Sequence, residues 1–110
     1  MGDIVPGYVG RMLRVDLTKG QATYEDLPTE DVLRRYVGGS GLGMKLLYAE
    51  VPPGVGCYDP ENRLIFASGP MGGTIGGTGS YSVVTKGPMT NGVLSSQANG
   101  FMGAFMKFSG

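Results

Sequence analysis

Histidine and tryptophan are absent from this 110-residue sequence, and cysteine occurs once, at Cys57. Without imidazole and with a single thiol, the chain has no side-chain set for a typical zinc site or a cysteine-ligated iron–sulfur cluster of its own. Ser-His-Asp and Cys-His nucleophilic units are excluded for the same reason. A lone, unpaired cysteine fits a reducing compartment, so the expected location is cytoplasmic. Surplus charge is missing too, with nine basic residues against nine acidic ones. A nucleic-acid binder would show a basic excess gathered on one face, so no such partner is expected. No apolar run approaches the ~20 residues that span a bilayer, and no membrane partner is expected either. The opening MGDIVPGYVG lacks the basic stretch and apolar core of a secretory leader. Pro6 stands where a myristoylation signal needs Ser or Thr.

One further absence divides the chain. All nine carboxylates lie at or before Glu61, and beyond Arg63 only Lys86 and Lys107 are charged. Those last 47 residues also hold 11 of the 21 glycines. An average chain of this length would carry about 8 Gly. Glycine inside helices or strands costs roughly 0.5–1 kcal/mol each, so most of the excess belongs in loops. A segment without acidic side chains and rich in Gly, Thr, Ser, Asn and Gln suits an anionic, flat or phosphate-bearing ligand that needs close backbone approach. The plainer alternative is a structural role alone, and composition leaves both open.

Local patterning gives a mixed α+β chain. Residues 8–17 alternate apolar Tyr8, Met12 or Leu13, Val15 and Leu17 with polar residues, residues 18–21 form a turn, and residues 22–27 return as a second strand. Thr29 can cap a helix that carries Glu30 and Asp31 at its positive end and Val32, Leu33, Tyr36 and Val37 as its apolar stripe. Gly38-Gly39 is expected to stop it. A second helix runs from about residue 41 to residue 50, burying Leu42, Leu46 and Leu47 before Pro52-Pro53-Gly54. Short strands are expected at 64–67 and 81–85. Gly69-Pro70-Met71 and Gly87-Pro88-Met89 echo one another as two similar exits from strand to loop.

Spacing removes several chemistries. In Gly38-Gly39-Ser40-Gly41-Leu42-Gly43-Met44-Lys45 the lysine falls one place late for a phosphate loop. The dinucleotide pattern fails at Met44 after Gly39 and Gly41, and at Ser82 after Gly77 and Gly79. Glycines that let one helix end and another begin at close approach explain residues 38–43 better. Cys57 reads as a bystander in a polar turn, the methionines as core, and Asp59 with Glu61 and Glu30 with Asp31 as turn and helix-start residues.

The order of features resembles the N-terminal domain of the aldehyde ferredoxin oxidoreductase family. Matching stretches run collinearly through residues 10–20 (GRMLRVDLTKG), 36–43 (YVGGSGLG), 51–54 (VPPG), 60–70 (PENRLIFASGP), 83–88 (VVTKGP) and 99–110 (NGFMGAFMKFSG). The resemblance implies a β-rich platform domain, of which residues 1–110 form a single domain incomplete at its C-terminal side. Its expected cofactor is a bis-pterin holding tungsten or molybdenum, with magnesium bridging the pterin phosphates. The family's 4Fe-4S cluster would be ligated by other domains and not by this chain. The family oxidises aldehydes to carboxylic acids and passes electrons to ferredoxin.

Carried over position by position, the resemblance points to Ser80, Tyr81, Gln97, Ala98, Asn99 and Gly100 as cofactor-binding residues, with no catalytic residue in this chain. The Gln97 backbone oxygen would serve the magnesium. Ser80 stands where relatives often place an Arg on a cofactor phosphate, Gln97 where they often carry Asn, and Asn99 where a small residue is usual. Lys86 is the compensating charge expected nearby. Two function classes follow: a tungstopterin-binding fragment that turns over only when completed by the remaining domains or a complementing chain, or a non-catalytic structural or interaction module. Open strand edges and apolar surface are expected, and with them homo-oligomers or aggregates of the isolated chain.

Overall fold

A computed structural model describes residues 5–110. The Met1-Gly2 start and Asp3, considered above for leader and lipid signals, lie outside the described residues. The chain orders as β1 (Arg11–Asp16), β2 (Gln21–Asp26), α1 (Glu30–Tyr36), α2 (Gly39–Glu50), β3 (Ile65–Ser68), β4 (Tyr81–Lys86), β5 (Val93–Ala98) and α3 (Met102–Phe108). It is an α+β fold with two antiparallel sheets, β1-β2 and β3-β4-β5.

The first hairpin forms where the alternation and turn chemistry placed it, pairing Arg11 with Asp26 through Asp16 with Gln21. Asp16 Oδ1 accepts from the Lys19 amide at 3.1 Å, and Gly20 takes a positive φ of 66° to close the turn. Its facing is the reverse of the expected one. Met12, Arg14 and Asp16 turn inward, while Leu13, Val15 and Leu17 are exposed. Arg14 determines the choice, since its guanidinium reaches Glu50 at 2.6 and 3.1 Å and Glu25 at 2.8 Å. Arg63 adds a 3.5 Å contact to Glu50. Hydrogen bonding to Arg14 holds the Glu50 carboxyl below its ordinary range, against the opposing effect of burial.

At α1, Thr29 occupies the cap position but its hydroxyl makes no capping bond; its carbonyl accepts the Leu33 amide at 3.0 Å. Glu30 and Asp31 instead pair with Arg34 and Arg35 one turn on, which confirms them as helix-start residues. Only Leu33 of the expected stripe is fully buried, and Tyr36 and Val37 are exposed. The helix stops at Val37 and not at the glycine pair. Val37 has φ 65° and ψ −69°, and Gly38 N–H donates to Tyr36 O at 2.8 Å. That is a γ-turn of the rare, strained kind, on a β-branched residue. The Tyr8 hydroxyl donates to Val37 O and helps to fix it there.

The glycines at 38–43 serve close approach. A Cβ at Gly38 would lie 2.7 Å from Ser68 O, at Gly41 2.6 Å from Tyr36 O, and at Gly43 2.7 Å from Val84 Cγ2. Gly43 thereby lets α2 settle on the face of β3 and β4 that carries Ile65 and Val84. Leu33, Leu42, Leu47, Val84 and Ala104 form the small buried core, and Leu46 is half-buried. Asn62 fastens the preceding loop to the end of β4: its amide donates to Cys57 O and Thr85 Oγ1, and its Oδ1 accepts from the Arg63 and Lys86 amides.

Both Gly-Pro-Met stretches follow strands, but they differ in outcome. The first opens the loop of residues 69–80, whereas the second is a tight turn into β5. β5 and α3 are the two elements that the patterning of residues 87–110 did not yield. Apolar surface is extensive among the described residues. It includes Leu13, Val15 and Tyr24 on the first hairpin, Val93 and Leu94 of the fully exposed β5, and a row of Phe101, Phe105 and Phe108 along α3 with ring centroids 6.1 and 6.3 Å apart.

Candidate cofactor site

The site is built at one end of the β4–β5 hairpin. Pairing sets Tyr81 opposite Ala98 and Ser82 opposite Gln97. One residue further out, the Ser80 hydroxyl donates to Asn99 Oδ1 at 2.9 Å. Ser80, Tyr81, Gln97, Ala98, Asn99 and Gly100, drawn from two stretches of sequence, therefore share one contiguous strand end.

The start of α3 closes that end. The Gly103 amide donates to Gly79 O at 3.0 Å. A Cβ at Gly103 would lie 2.5 Å from Ser80 O and 2.6 Å from Gly79 O, and one at Gly79 would overlap the Gly100 carbonyl oxygen. Backbone here lies against backbone, with no room for a side chain at either glycine. Gly79 and Gly103 are the residues that the sequence reading missed. The turn signal Asn91-Gly92, which predicts a hairpin, would have exposed β5 and hence their meeting.

Of the six residues, Gln97, Ala98, Asn99 and Gly100 are exposed and Ser80 and Tyr81 half-buried. Tyr81 stacks on Phe66 with centroids 6.4 Å apart. Clefts lie beside the first hairpin, around Asp26 and Leu33 and around Arg11 and Tyr24, and contain none of the six. The site is an open surface.

Charge placement corrects one expectation. Lys86 sits at the opposite end of β4, paired with Val93, five residues from Tyr81. At about 3.3 Å per residue that is some 16 Å of strand, too far to compensate for the uncharged Ser80. Lys107 is the other cation of the segment, and its ammonium donates to Pro70 O over the adjoining loop. The donor set at the strand end is thus hydroxyl, amide and backbone. Neutral donors without a carboxylate suit an anionic ligand, and backbone and amide oxygens are hard ligands of the kind magnesium accepts beside phosphate. Among the described residues, no three His, Cys, Asp or Glu side chains gather where a metal ion could be held.

Residues 12–110 match the family model described as aldehyde ferredoxin oxidoreductase, N-terminal domain. The chain belongs to that family. The tungsten-containing aldehyde ferredoxin oxidoreductase of Pyrococcus abyssi (strain GE5 / Orsay) is 41% identical over 105 residues, covering 94% of this chain and 17% of the relative. An aliphatic sulfonate oxidoreductase, WOR-like subunit, of Pyrococcus furiosus is 37% identical over 106 residues, again with 94% and 17% coverage. Among solved structures, the active site complex BamBC of benzoyl coenzyme A reductase in complex with 1,5 dienoyl-CoA superposes with a TM-score of 0.89 at 36% identity, covering 94% of this chain and 16% of that one. As an aldehyde ferredoxin oxidoreductase N-terminal domain, the chain thus spans about 17% of the length of the curated relatives it matches. Among its described residues, no helix is long and apolar enough to cross a membrane.

Proposed function

We propose that this chain is the part of a tungsten- or molybdenum-containing bis-pterin oxidoreductase on which the cofactor rests. The observation that carries this reading is the assembly of Ser80, Tyr81, Gln97, Ala98, Asn99 and Gly100 at one strand end, in a chain about 40% identical to relatives named as tungsten-containing enzymes. When bound, the cofactor supplies a metal centre for two-electron oxidation, of aldehydes to carboxylic acids in the aldehyde ferredoxin oxidoreductase case. This chain's own residues bind and orient. The Asn99 side-chain NH2, oriented by the Ser80 hydroxyl on its Oδ1, and the exposed Gly100 backbone meet the phosphate-bearing edge, with the Gln97 backbone oxygen contributing to magnesium. Neutral donors hold the anion without a carboxylate to repel it.

The platform is one part of a single cofactor-binding domain, and the 4Fe-4S cluster, the substrate pocket and the ferredoxin contact belong to the rest of the enzyme. Relatives named for aldehyde, sulfonate and benzoyl-CoA chemistry share this stretch, which supports a platform that does not itself select the substrate. The single cysteine supports a reducing, cytoplasmic setting.

Metal analysis by mass spectrometry with pterin fluorescence, on protein purified without oxygen, tests the proposal. Tungsten or molybdenum near one per chain is the expected result. A folded chain with neither metal nor pterin supports the second reading, a non-catalytic structural or interaction module. That reading draws on the uncharged Ser80 and on the distance of Lys86 from it.

A further inference from the structure

The half of the chain without acidic side chains contains two Asn-Gly pairs, Asn91-Gly92 and Asn99-Gly100. Glycine after asparagine leaves the following backbone nitrogen unhindered in its approach to the side-chain carbonyl carbon. The fold treats the two pairs differently. Asn91 sits in the β4–β5 turn at φ 57°, its amide donating to Gly87 O at 3.0 Å, while Gly87 N–H donates to Gly92 O at 2.8 Å. The Gly92 amide, the nitrogen that would attack, donates to Thr90 Oγ1 at 3.2 Å. Both neighbouring peptides and the nucleophile are thus engaged.

At the second pair, Asn99 and Gly100 are exposed, and the Gly100 amide donates to no backbone acceptor among the described residues. The Ser80 hydroxyl donates to Asn99 Oδ1 at 2.9 Å. A donor on that oxygen polarises the amide and stabilises the negative charge that gathers there as the nitrogen attacks.

We propose that Asn99-Gly100 is a spontaneous deamidation site lying within the candidate cofactor site, with Ser80 as its polarising donor. The Gly100 nitrogen passes its proton to water and bonds to Asn99 Cγ. The Cγ–Nδ2 bond then breaks, ammonia leaves, and a succinimide remains. Water opens the ring at either carbonyl to give aspartate or isoaspartate, with no change of oxidation state. Each product places a carboxylate in a segment that has none after Glu61, and the isoaspartate also lengthens the backbone by one methylene beside the Gly79–Gly100 contact. The consequence for function rests on the reading proposed above: the new charge would oppose a cofactor phosphate.

Site-resolved peptide mapping by mass spectrometry, on the 110-residue chain aged at mildly alkaline pH, tests the inference without any cofactor. Acid should accumulate at Asn99 about three to ten times faster than at Asn91, the difference that one hydrogen bond makes, and the two rates should converge in denaturant. Equal rates in the folded chain, a lead at Asn91, or a difference that persists in denaturant would overturn it. Ser80→Ala, with its fold checked by circular dichroism, should slow Asn99; a faster Asn99 removes the role given to Ser80. Because these rates do not involve metal or pterin, metal analysis that fails while Asn99 deamidates refutes only the cofactor reading, and the reverse outcome refutes only this one.

Discussion

The β1–β2 hairpin meets the rest of the fold through Arg14, whose guanidinium spans Glu25 and Glu50, whereas the β4–β5 hairpin meets α3 where Gly79 and Gly103 bring backbone against backbone. The first attachment is charged and half-exposed, the second neutral and steric. Solvent screens the first, since partly exposed ion pairs act across a high dielectric. The second depends on close fit and on the Gly103–Gly79 hydrogen bond, neither of which salt screens. A sequence that concentrates its carboxylates before residue 62 and half its glycines after residue 63 has thereby separated two ways of fixing a hairpin, and the candidate site lies on the side that tolerates no added atom.

Gly79→Ala should break the comparison hardest. Its Cβ would overlap a carbonyl oxygen that cannot move without carrying Asn99 and α3 with it, and a cost of about 3 kcal/mol is expected. In a domain of this size that lowers Tm by more than about 10 °C, at any salt concentration. Thermal unfolding that leaves Tm in place would show the contact to be dispensable.

Glu50→Gln should cost less, about 1–2 kcal/mol, and the loss should shrink in high salt. Glu50 titrates lower folded than unfolded, so its contribution is present above the ordinary carboxylate range near pH 4.5 and disappears as pH falls through its depressed folded value. Unfolding curves recorded from neutral pH downward should therefore converge for the parent chain and Glu50→Gln in acid. A constant gap would place the stabilisation elsewhere.

Val37→Gly should have the smallest effect, and of opposite sign. Relief of the positive φ offsets the entropy that glycine adds to the unfolded chain, leaving a gain of up to about 1 kcal/mol. Denaturant midpoints read the result directly, and a loss of stability would mean that the exposed Val37 side chain makes a contact more valuable than its strain.

How much of this was legible in the sequence follows from where the information lies. Turn chemistry around Gly20 and the apolar spacing of Leu42 and Leu47 are local, and the first hairpin and α2 were readable from them. The inward facing of Arg14 was not, because alternation ranks residues by hydrophobicity and cannot see that Glu50, 36 residues away, waits to pair with it. Thr29 shows the converse: a favourable cap residue whose hydroxyl goes unused, since the helix start is served by Glu30 and Asp31. At the candidate site, the residues were named from family resemblance, but their closeness depends on β5. That strand was obscured because its Ser95, Ser96 and Gln97 lack the apolar alternation that marks a half-buried strand.

The bond from Ser80 to Asn99 spans 19 residues of chain, and the one from Arg14 to Glu50 that fastens the first hairpin spans 36. Closing the shorter loop costs less chain entropy, so the order of assembly is written into these separations. The strand end with its glycine contacts should gain protection from hydrogen exchange early in refolding, and the N-terminal hairpin should dock late onto a surface that is already made.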